Sequence, residues 1–274
     1  MVLLYHFWQY RAYFSVRYCL NIIEPNLLGK IYEIFLTEQL VLLENNTIGL
    51  GKKKDCQNRS VVTTPTEIVK YMVDKTLSKV CEGKKPAEIL NISVADIACG
   101  SGIFLEEAFA YLQDYCVQWY INNGQTDHLI ETGIDLYKLP LQEKKDILCS
   151  CIYGIDIDIH AVEVAKFSLL IKLIEDETAP SVAEVVPIPD LGDNIQFGNS
   201  LVSQTELNGI SSANRQMMEI APFDWSTINN GCGFDVIIGN PPYVNTEGMH
   251  ALLPSAEVEV YKKKYKTSHK QFDK

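Results

Sequence analysis

The sequence has no uninterrupted apolar stretch that approaches the roughly 18 residues needed to cross a membrane. Its first residues are apolar and aromatic, but they lack a basic segment and a small-residue cleavage site, so a secretory signal is not expected. The 8 cysteines include no CxxC pair, and the lone Cys149-Ser150-Cys151 has poor spacing for a metal. These absences favour reduced, mostly buried thiols in a cytoplasmic protein, with no metal site and no membrane partner.

Positive charge is also scarce. The 24 lysine and arginine residues are outnumbered by 35 aspartate and glutamate residues, which gives a formal net charge of −11. That balance argues against a polyanionic partner for the chain as a whole. Binding depends on local charge, however, and two basic clusters are present, at residues 52–54 and 261–266. Each cluster is also explained by a solvated loop or helix face.

The composition is that of a globular chain. Of its 274 residues, 47% are hydrophobic and 22% are charged, which allows one large domain or one and a half typical domains. Residues 1–55 are predicted to form an N-terminal helical segment, and residues 56–274 an α/β domain. In the helical segment, one apolar face is predicted to pack on that domain, and it consists of Leu28, Ile31, Tyr32 and Phe35.

The most informative segment is an apolar run that ends abruptly in an amide and two prolines. Val236-Ile237-Ile238 has no polar alternation, which predicts a strand buried on both faces of a parallel sheet. The prolines of Asn240-Pro241-Pro242-Tyr243 end that strand, because each of them removes a backbone donor. Ligands bind at the carboxyl ends of the strands in open α/β sheets. We therefore expect these four residues to lie at a binding site.

Two earlier strands end in residues that suit a nucleoside ligand. Residues 94–105 are predicted to form a strand, a glycine turn and the start of a helix, and Gly100 and Gly102 allow the turn to approach a ligand closely. A second strand ends at Asp156, an acidic residue of the kind that holds ribose hydroxyls. The usual gap is about 20 residues, whereas 54 positions separate Gly102 from Asp156. This insertion disfavours a dinucleotide-dependent dehydrogenase.

A capped helix precedes these strands. Thr64 is predicted to be its N-cap and Pro65 its first residue. Such a helix N-terminus can hold an anion. Its predicted apolar face consists of Ile68, Tyr71 and Met72. The later predicted elements are a third strand at residues 194–201, a helix around residues 213–220 and a helix over residues 256–266.

In this order, the segments resemble the N6-adenine-specific DNA methyltransferase portion of type IIG restriction–modification enzymes. The resemblance covers about residues 25–274. It implies a Rossmann-like, S-adenosylmethionine-dependent methyltransferase fold. The matching pieces are Leu28–Glu33, Thr64-Pro65, Asp96–Gly102, Gly154–Asp156, Gly198–Leu201 and Asn240–Tyr243.

The resemblance implies S-adenosyl-L-methionine as the cofactor. Thr64 would meet its methionine carboxylate, Asp96 would lie near its ammonium group, and Asp156 would accept from its ribose hydroxyls. Asn199 stands where the family often has Asp, and its amide oxygen can still accept from the adenine amino group. The implied cofactor residues are Thr64, Asp96, Cys99, Gly100, Ser101, Gly102, Asp156 and Asn199.

The resemblance also implies that Asn240, Pro241, Pro242 and Tyr243 serve the substrate, an adenine flipped out of double-stranded DNA. The exocyclic amine of adenine is a poor nucleophile, because its lone pair is delocalised into the ring. The Asn240 side-chain oxygen and the Pro241 carbonyl would hold its two hydrogens and aim the lone pair at the methyl group. Tyr243 would stack on the flipped base, a contribution of roughly 1–3 kcal/mol.

The implied sheet has seven strands, and the sequence supplies four. The later strands and the DNA-recognition domain have no counterpart, so the chain is interpreted as an N-terminal portion whose fourth strand would be a hydrophobic edge. The chain would then be a split subunit, a truncated gene product or a domain fragment. A split subunit would need a second polypeptide that supplies the missing strands and the DNA-recognition domain.

Two alternatives remain open. Glutamine-N5 protein methyltransferases share Asn-Pro-Pro-Tyr, and their substrate is a planar amide nitrogen. The insertion and the Leu28–Glu33 segment favour the DNA interpretation. The other alternative is a truncated or split non-catalytic fragment that binds cofactor or a partner subunit.

Overall fold

The computed structural model describes residues 29, 31–32, 38–42, 47–52, 64–177, 188–210, 213–243 and 253–266. Its strands are β1 (Glu38–Leu42), β2 (Ile48–Lys52), β3 (Val94–Asp96), β4 (Ile130–Gly133), β5 (Leu136–Lys138), β6 (Ile152–Asp156), β7 (Ile195–Phe197) and β8 (Val236–Ile237). Its helices are α1 (Thr66–Cys81), α2 (Pro86–Ile89), α3 (Ile103–Asn122), α4 (Leu141–Cys151), α5 (Ile159–Ile174), α6 (Gln204–Leu207), α7 (Ala213–Ile220) and α8 (Ser255–Lys264). Short 3₁₀ turns lie at Thr126–His128, Trp225–Thr227 and Asn229–Gly231.

The central element is a four-stranded sheet in the order β7-β6-β3-β8, and all its neighbouring strands run parallel. The chain moves outward from β3 to β6 and β7, and then returns to the other side of β3 to form β8. Strand order therefore reverses between β3 and β8, and ligands bind at such a switch point in open α/β sheets. The predicted α/β class with a parallel sheet is confirmed, as are strands in the regions predicted around β3, β6, β7 and β8.

Successive side chains in these strands point to opposite faces of the sheet. Val94 and Ile152 lie in the main core, which α1, α3, α4 and α5 cover on one face. Ala95 and Ile155 lie on the other face, where Phe223 and Ile228 cover them. A further apolar cluster joins α8 to α7 and the segment after β7. The middle strands β3 and β6 are therefore packed on both faces of the sheet.

The predicted burial of β8 on both faces is wrong. Val236 and Ile238 are buried, but Ile237 between them is 63% exposed. The reason is that β8 lies at the edge of the described sheet, beyond the aromatic cover that protects Ala95. An unbroken apolar run therefore did not distinguish a fully buried strand from an edge strand with one open face.

The helical prediction for residues 1–55 is wrong for residues 38–42 and 48–52. These residues form the antiparallel pair β1–β2, with Leu40 opposite Leu50. Short apolar runs have no decisive period, and Gly49 and Gly51 disfavour a helix. Residues 29, 31 and 32 are helical as predicted, although Ile31 is exposed. Leu28 and Phe35 lie outside the described residues.

The apolar face of α1 also differs from the prediction. Ile68 and Tyr71 are exposed, whereas Met72 is partly buried and packs on the main core. The helix carries two apolar stripes, and the stripe at regular four-residue spacing packs against the core. Its buried residues are Val69, Val73, Leu77 and Cys81.

The remaining predicted helices are confirmed. Helix α7 has the predicted bounds. Helix α8 begins one residue before the predicted range, at Ser255, and ends two residues before the end of that range, at Lys264. The insertion between β3 and β6 contains the end of α3, the hairpin β4–β5 and helix α4. Among the described residues, no helix combines the length and apolar character of a membrane span.

We expect Gly154→Ala to destabilise the fold. A Cβ at this position in β6 would lie 2.7 Å from Leu105 Cδ1 and 3.1 Å from both Cys99 Sγ and Ile195 Cδ1. Overpacking of this kind costs about 1–3 kcal/mol, so the urea unfolding midpoint should fall. Gly233→Ala is the matched control, because its Cβ would meet nothing within 4 Å. Equal midpoints for both variants would contradict the packing described for β6.

Candidate functional site

The first part of the site is the glycine turn between β3 and α3. Gly102 is the N-cap of α3 with φ of 94°, a conformation that favours glycine. A Cβ at Gly102 would also lie 3.1 Å from Ala165 Cβ in α5. The turn is closed by the Gly102 N–H, which donates to the Cys99 carbonyl at 2.8 Å. Both the conformation and the contact with α5 therefore require glycine here.

Asp156, at the carboxyl end of β6, fixes this turn. One of its carboxylate oxygens accepts from the Gly100 N–H at 2.8 Å, and the other accepts from the Asp158 N–H at 2.8 Å. The N-cap of α5 is Asp158, which accepts from the His160 N–H. Asp156 is therefore not the helix cap, and it ties the end of β6 to the glycine turn.

Asp96 ends β3 and is only 2% exposed. Its Oδ1 accepts from the Ala98 N–H at 3.0 Å. Burial raises the pKa of Asp96 to about 7; the charge of nearby Asp156 raises it too, while the Ala98 hydrogen bond lowers it. Burial also raises the pKa of Asp156. Two carboxylates that are costly to ionise lie close together, so this site favours a cationic ligand.

The Asn240–Tyr243 segment lies against Asp96. A Cβ on Gly239 would be 2.4 Å from Asp96 Oδ1, so only glycine allows the backbone to pass there. Asn240 Nδ2 donates to Thr64 Oγ1 at 3.0 Å, and the Tyr243 hydroxyl donates to Asn240 Oδ1 at 3.0 Å. Tyr243 is 66% exposed, and its ring is therefore open to solvent.

Thr64 does not have its predicted capping role. The N-cap of α1 is Pro65, with no side-chain capping bond, and the helix begins at Thr66. The physical reason is that the Thr64 hydroxyl has another partner, the Asn240 amide. The structure thus brings Thr64, Asp96 and Asn240 together where α1 begins and where β3 and β8 end.

Asn199 is held in a separate buried network. It is 3% exposed, its Nδ2 donates to Glu257 Oε1 at 2.9 Å, and its Oδ1 accepts from the Leu201 N–H at 3.1 Å. Tyr261 also donates to the same Glu257 oxygen. Helix α8 therefore positions the turn after β7, an interaction that the sequence did not indicate.

The other predicted residues of the glycine turn contribute mainly backbone. Cys99 is buried, its N–H donates to the Ile155 carbonyl at 3.0 Å, and burial raises the pKa of its thiol. Ser101 is also buried. By contrast, Pro241 and Pro242 are exposed beside Tyr243.

A short N-terminal segment lies over the turn. A Cβ on Gly29 would be 2.8 Å from Ser101 Oγ. The Tyr32 hydroxyl donates to Asp158 Oδ2 at 2.7 Å, and burial together with this carboxylate raises the pKa of Tyr32. Gly29 and Tyr32 therefore form part of the wall of the site, beside the glycine turn and the end of β6.

Sequence reasoning missed three other residues at this edge of the sheet. Gly239 is required by the close approach to Asp96, and its only signal was its position directly before Asn240. Ile157 and Phe197 are exposed apolar residues at the carboxyl ends of β6 and β7. In the sequence, each of them is an apolar residue next to the polar residues that end a strand. This pattern is too common to indicate a binding site.

Residues 150–274 match the family described as Eco57I restriction-modification methylase. The chain is 43% identical over 258 residues to the type II restriction enzyme and methyltransferase RM.Eco57I of Escherichia coli, an alignment that covers 94% of this chain and 25% of that protein. It is 29% identical over 225 residues to RM.MjaORFECS2P of Methanocaldococcus jannaschii, an alignment that covers 68% of this chain and 17% of that protein.

One solved structure is a nuclease-deletion mutant of the Type ISP restriction-modification enzyme LlaGI in complex with a DNA substrate mimic. It is 17% identical, with a TM-score of 0.40, and the match covers 67% of this chain and 13% of that chain. A TM-score at this level does not establish a common fold. The chain spans about a quarter of the length of RM.Eco57I.

The burial of Asp96 predicts an unusual pH dependence of stability. Its pKa is about 7 in the folded chain and about 3.9 when unfolded. Between these two pH values the folded state binds one more proton than the unfolded state. The contribution of Asp96 to stability therefore falls as the pH rises from about 4 to about 7, and it is constant above the folded pKa. Asp96→Asn should therefore gain stability relative to the unmodified chain by up to about 1.4 kcal/mol per pH unit over that window.

Urea unfolding of both proteins at several pH values measures this difference. Glu106, whose pKa burial also raises to about 7, is present in both proteins and cancels in the comparison. A difference in stability that does not change with pH would show that Asp96 has an ordinary pKa.

Proposed function

We propose that this chain, a relative of the Eco57I restriction–modification methylases, is a site-specific DNA methyltransferase with a Rossmann-like fold. It would transfer a methyl group from S-adenosyl-L-methionine to the N6 amine of adenine, as part of a restriction–modification system. The observation that carries the proposal is the position of Asn240. Its amide lies at the end of β8, between the Thr64 and Tyr243 hydroxyls and directly after the contact of Gly239 with Asp96.

The residues present fit the cofactor. Bound S-adenosylmethionine supplies an electrophilic methyl group on a sulfonium, and it carries two positive charges. The raised pKa of Asp96 is the observation that supports this fit, because an adjacent ammonium group would offset the cost of ionising the carboxylate. Thr64 would hold the methionine carboxylate, and the backbone of Cys99–Gly102, including Ser101, would line the methionine part.

The nucleoside half of the cofactor would lie along the next two strands. Asp156 would accept from the ribose hydroxyls through oxygens that already organise the turn. Exposed Ile157 and Phe197 provide apolar surface for the adenine ring. Asn199 would read the adenine amino group through its oxygen, which also accepts from the Leu201 N–H.

The substrate amine would replace the Tyr243 hydroxyl on Asn240. Asn240 Oδ1 and the Pro241 carbonyl would accept its two hydrogens, so that its lone pair points away from the base plane toward the methyl group. The ring of Tyr243, released from Asn240, would stack on the flipped base. The substrate nitrogen, held by Asn240 and Pro241, would gain the methyl group as the bond between the methyl carbon and sulfur breaks. It would then lose one proton to solvent.

Double-stranded DNA would reach this site from solvent. Tyr243 and both prolines are exposed, so a base attached to a large substrate can approach them. The end of α8 carries the exposed Lys262 and Lys263, whose charge suits phosphate contacts. We further propose a cytoplasmic protein in which a second polypeptide pairs with β8, the edge strand of the described sheet, and covers the exposed Ile237.

The test is label transfer with and without Asn240. The chain, alone and together with the polypeptide encoded beside it, is incubated with unmethylated DNA and S-adenosylmethionine that is tritiated in its methyl group. We expect label in N6-methyladenine, and Asn240→Ala should lower the rate about 100-fold or more. Cofactor affinity measured by calorimetry should change less than about threefold, because Asn240 serves mainly the substrate.

Asn91→Ala is the matched control, since Asn91 is exposed at the opposite end of the sheet, before β3. Label in glutamine of an added protein in place of adenine would replace the proposed substrate. Cofactor binding without transfer under either condition would identify a non-catalytic binding fragment.

Cofactor binding should release a proton from Asp96. At about pH 6 this carboxyl group is mostly protonated in the free chain, because its pKa is about 7, and the cofactor ammonium group favours its ionised form. Calorimetry in buffers of different ionisation enthalpy should detect release of close to one proton at about pH 6 and almost none at about pH 8. Asp96→Asn should abolish this difference, and its persistence would assign the proton to another group.

A further inference from the structure

Asn240 is held through both ends of its amide. The amide nitrogen donates to Thr64 Oγ1, and the amide oxygen accepts from the Tyr243 hydroxyl, each at 3.0 Å. Thr64 and Asn240 are 176 positions apart in the chain. This bond directly connects the residue proposed for the cofactor carboxylate with the residue proposed for the substrate amine.

The amide must have one particular orientation to be useful. Only its oxygen can accept a hydrogen from the substrate amine, whereas its NH₂ group would oppose that amine donor to donor. A hydroxyl can either donate or accept. Two hydroxyl partners would therefore satisfy the reversed amide equally well in the free chain. Something else has to select the orientation that accepts the substrate.

We propose that Thr64 is a positioning residue that makes this selection when the cofactor binds. A carboxylate can only accept hydrogen bonds, so it would take the single hydroxyl proton of Thr64. The Thr64 oxygen can then only accept from Asn240, and the amide nitrogen must face it. The amide oxygen is thereby directed to the substrate. The proposal rests on the proposed function, because it assumes that the Thr64 hydroxyl meets the cofactor carboxylate.

The surrounding structure fixes the positions of Thr64 and of the backbone before Asn240. The orientation of the Asn240 side-chain amide is what can still vary. The backbone before Asn240 is fixed by the contact between Gly239 and Asp96. Thr64 is fixed by α1, whose Val69 and Val73 are buried in the main core. The helix does not use the Thr64 side chain, because its N-cap is Pro65 and no side-chain capping bond forms. The hydroxyl proton is therefore available to a ligand.

The chain of donors has a defined direction. The substrate amine donates to Asn240, Asn240 donates to Thr64, and Thr64 donates to the carboxylate. Each bond strengthens the next, because aligned hydrogen bonds polarise one another. A cofactor analogue without a carboxylate would not fix the direction in which the Thr64 hydroxyl donates its proton. Cofactor binding and substrate binding should therefore be positively coupled through these two side chains.

The binding test uses two probes, S-adenosylhomocysteine, which has the carboxylate, and 5′-methylthioadenosine, which lacks it. Calorimetry on the full chain compares Thr64→Val, Asn240→Ala and the double variant. We expect Thr64→Val to weaken S-adenosylhomocysteine binding about tenfold and to leave methylthioadenosine unchanged. The double variant should bind S-adenosylhomocysteine like Thr64→Val alone, because Asn240 acts through the hydroxyl. Independent effects that multiply in the double variant would overturn the coupling.

The kinetic test separates positioning from simple cofactor binding. With the cofactor at saturation, Thr64→Val should still have a kcat at least tenfold lower, because the Asn240 amide is no longer directed. Thr64→Ser keeps the hydroxyl and should stay within about twofold of the unmodified chain. Full recovery of kcat in Thr64→Val at saturating cofactor would show that Thr64 only binds the carboxylate, and would overturn the proposal.

The two proposals fail differently. If the unmodified chain binds S-adenosylhomocysteine but transfers no methyl group to adenine, the proposed function fails, and the binding comparison still decides the link between Thr64 and Asn240. If the unmodified chain binds no S-adenosylhomocysteine, either alone or together with the polypeptide encoded beside it, both proposals are wrong.

Discussion

A buried carboxylate lies where two neighbouring parallel strands end, and the backbone of the second strand passes directly against it. The contact between Asp96 and Gly239 leaves no room for a Cβ. Because β3 and β8 are held in register, this approach fixes where Asn240 begins. It also keeps water from Asp96, which raises the pKa of that residue. One steric constraint thus sets both the position of the amide and the electrostatics beside it.

Other hydrogen bonds and packing contacts hold the rest of the site in place around Asp96 and Gly239. Asp156 ties the glycine turn to the end of β6, and Gly102 allows the turn to pack on α5. Thr64 reaches Asn240 from the start of α1. The network of Asn199, Glu257 and Tyr261 is built by α8. Elements from both ends of the described chain therefore meet at one edge of the sheet.

Much of this arrangement could be predicted because it is local in sequence. The glycine turn, the acidic end of β6 and the prolines after β8 each have a signal within a few residues. What could not be predicted depends on tertiary contact. The open face at Ile237 depends on which strand is the edge. The role of Thr64 depends on an amide far along the chain, and the pair β1–β2 has no decisive period. The predicted cofactor and substrate roles of individual residues await experiment.

The long reach of the Thr64–Asn240 bond has a consequence for the order in which the molecule forms. These residues are separated by 176 positions, and the Tyr32–Asp158 bond spans 126. Closing loops of this length costs conformational entropy before any contact repays it. We therefore expect the glycine turn to form early, together with α3, and the hydrogen bond between Thr64 and Asn240 to form last. A nascent chain still emerging from the ribosome would hold a folded core without a substrate site.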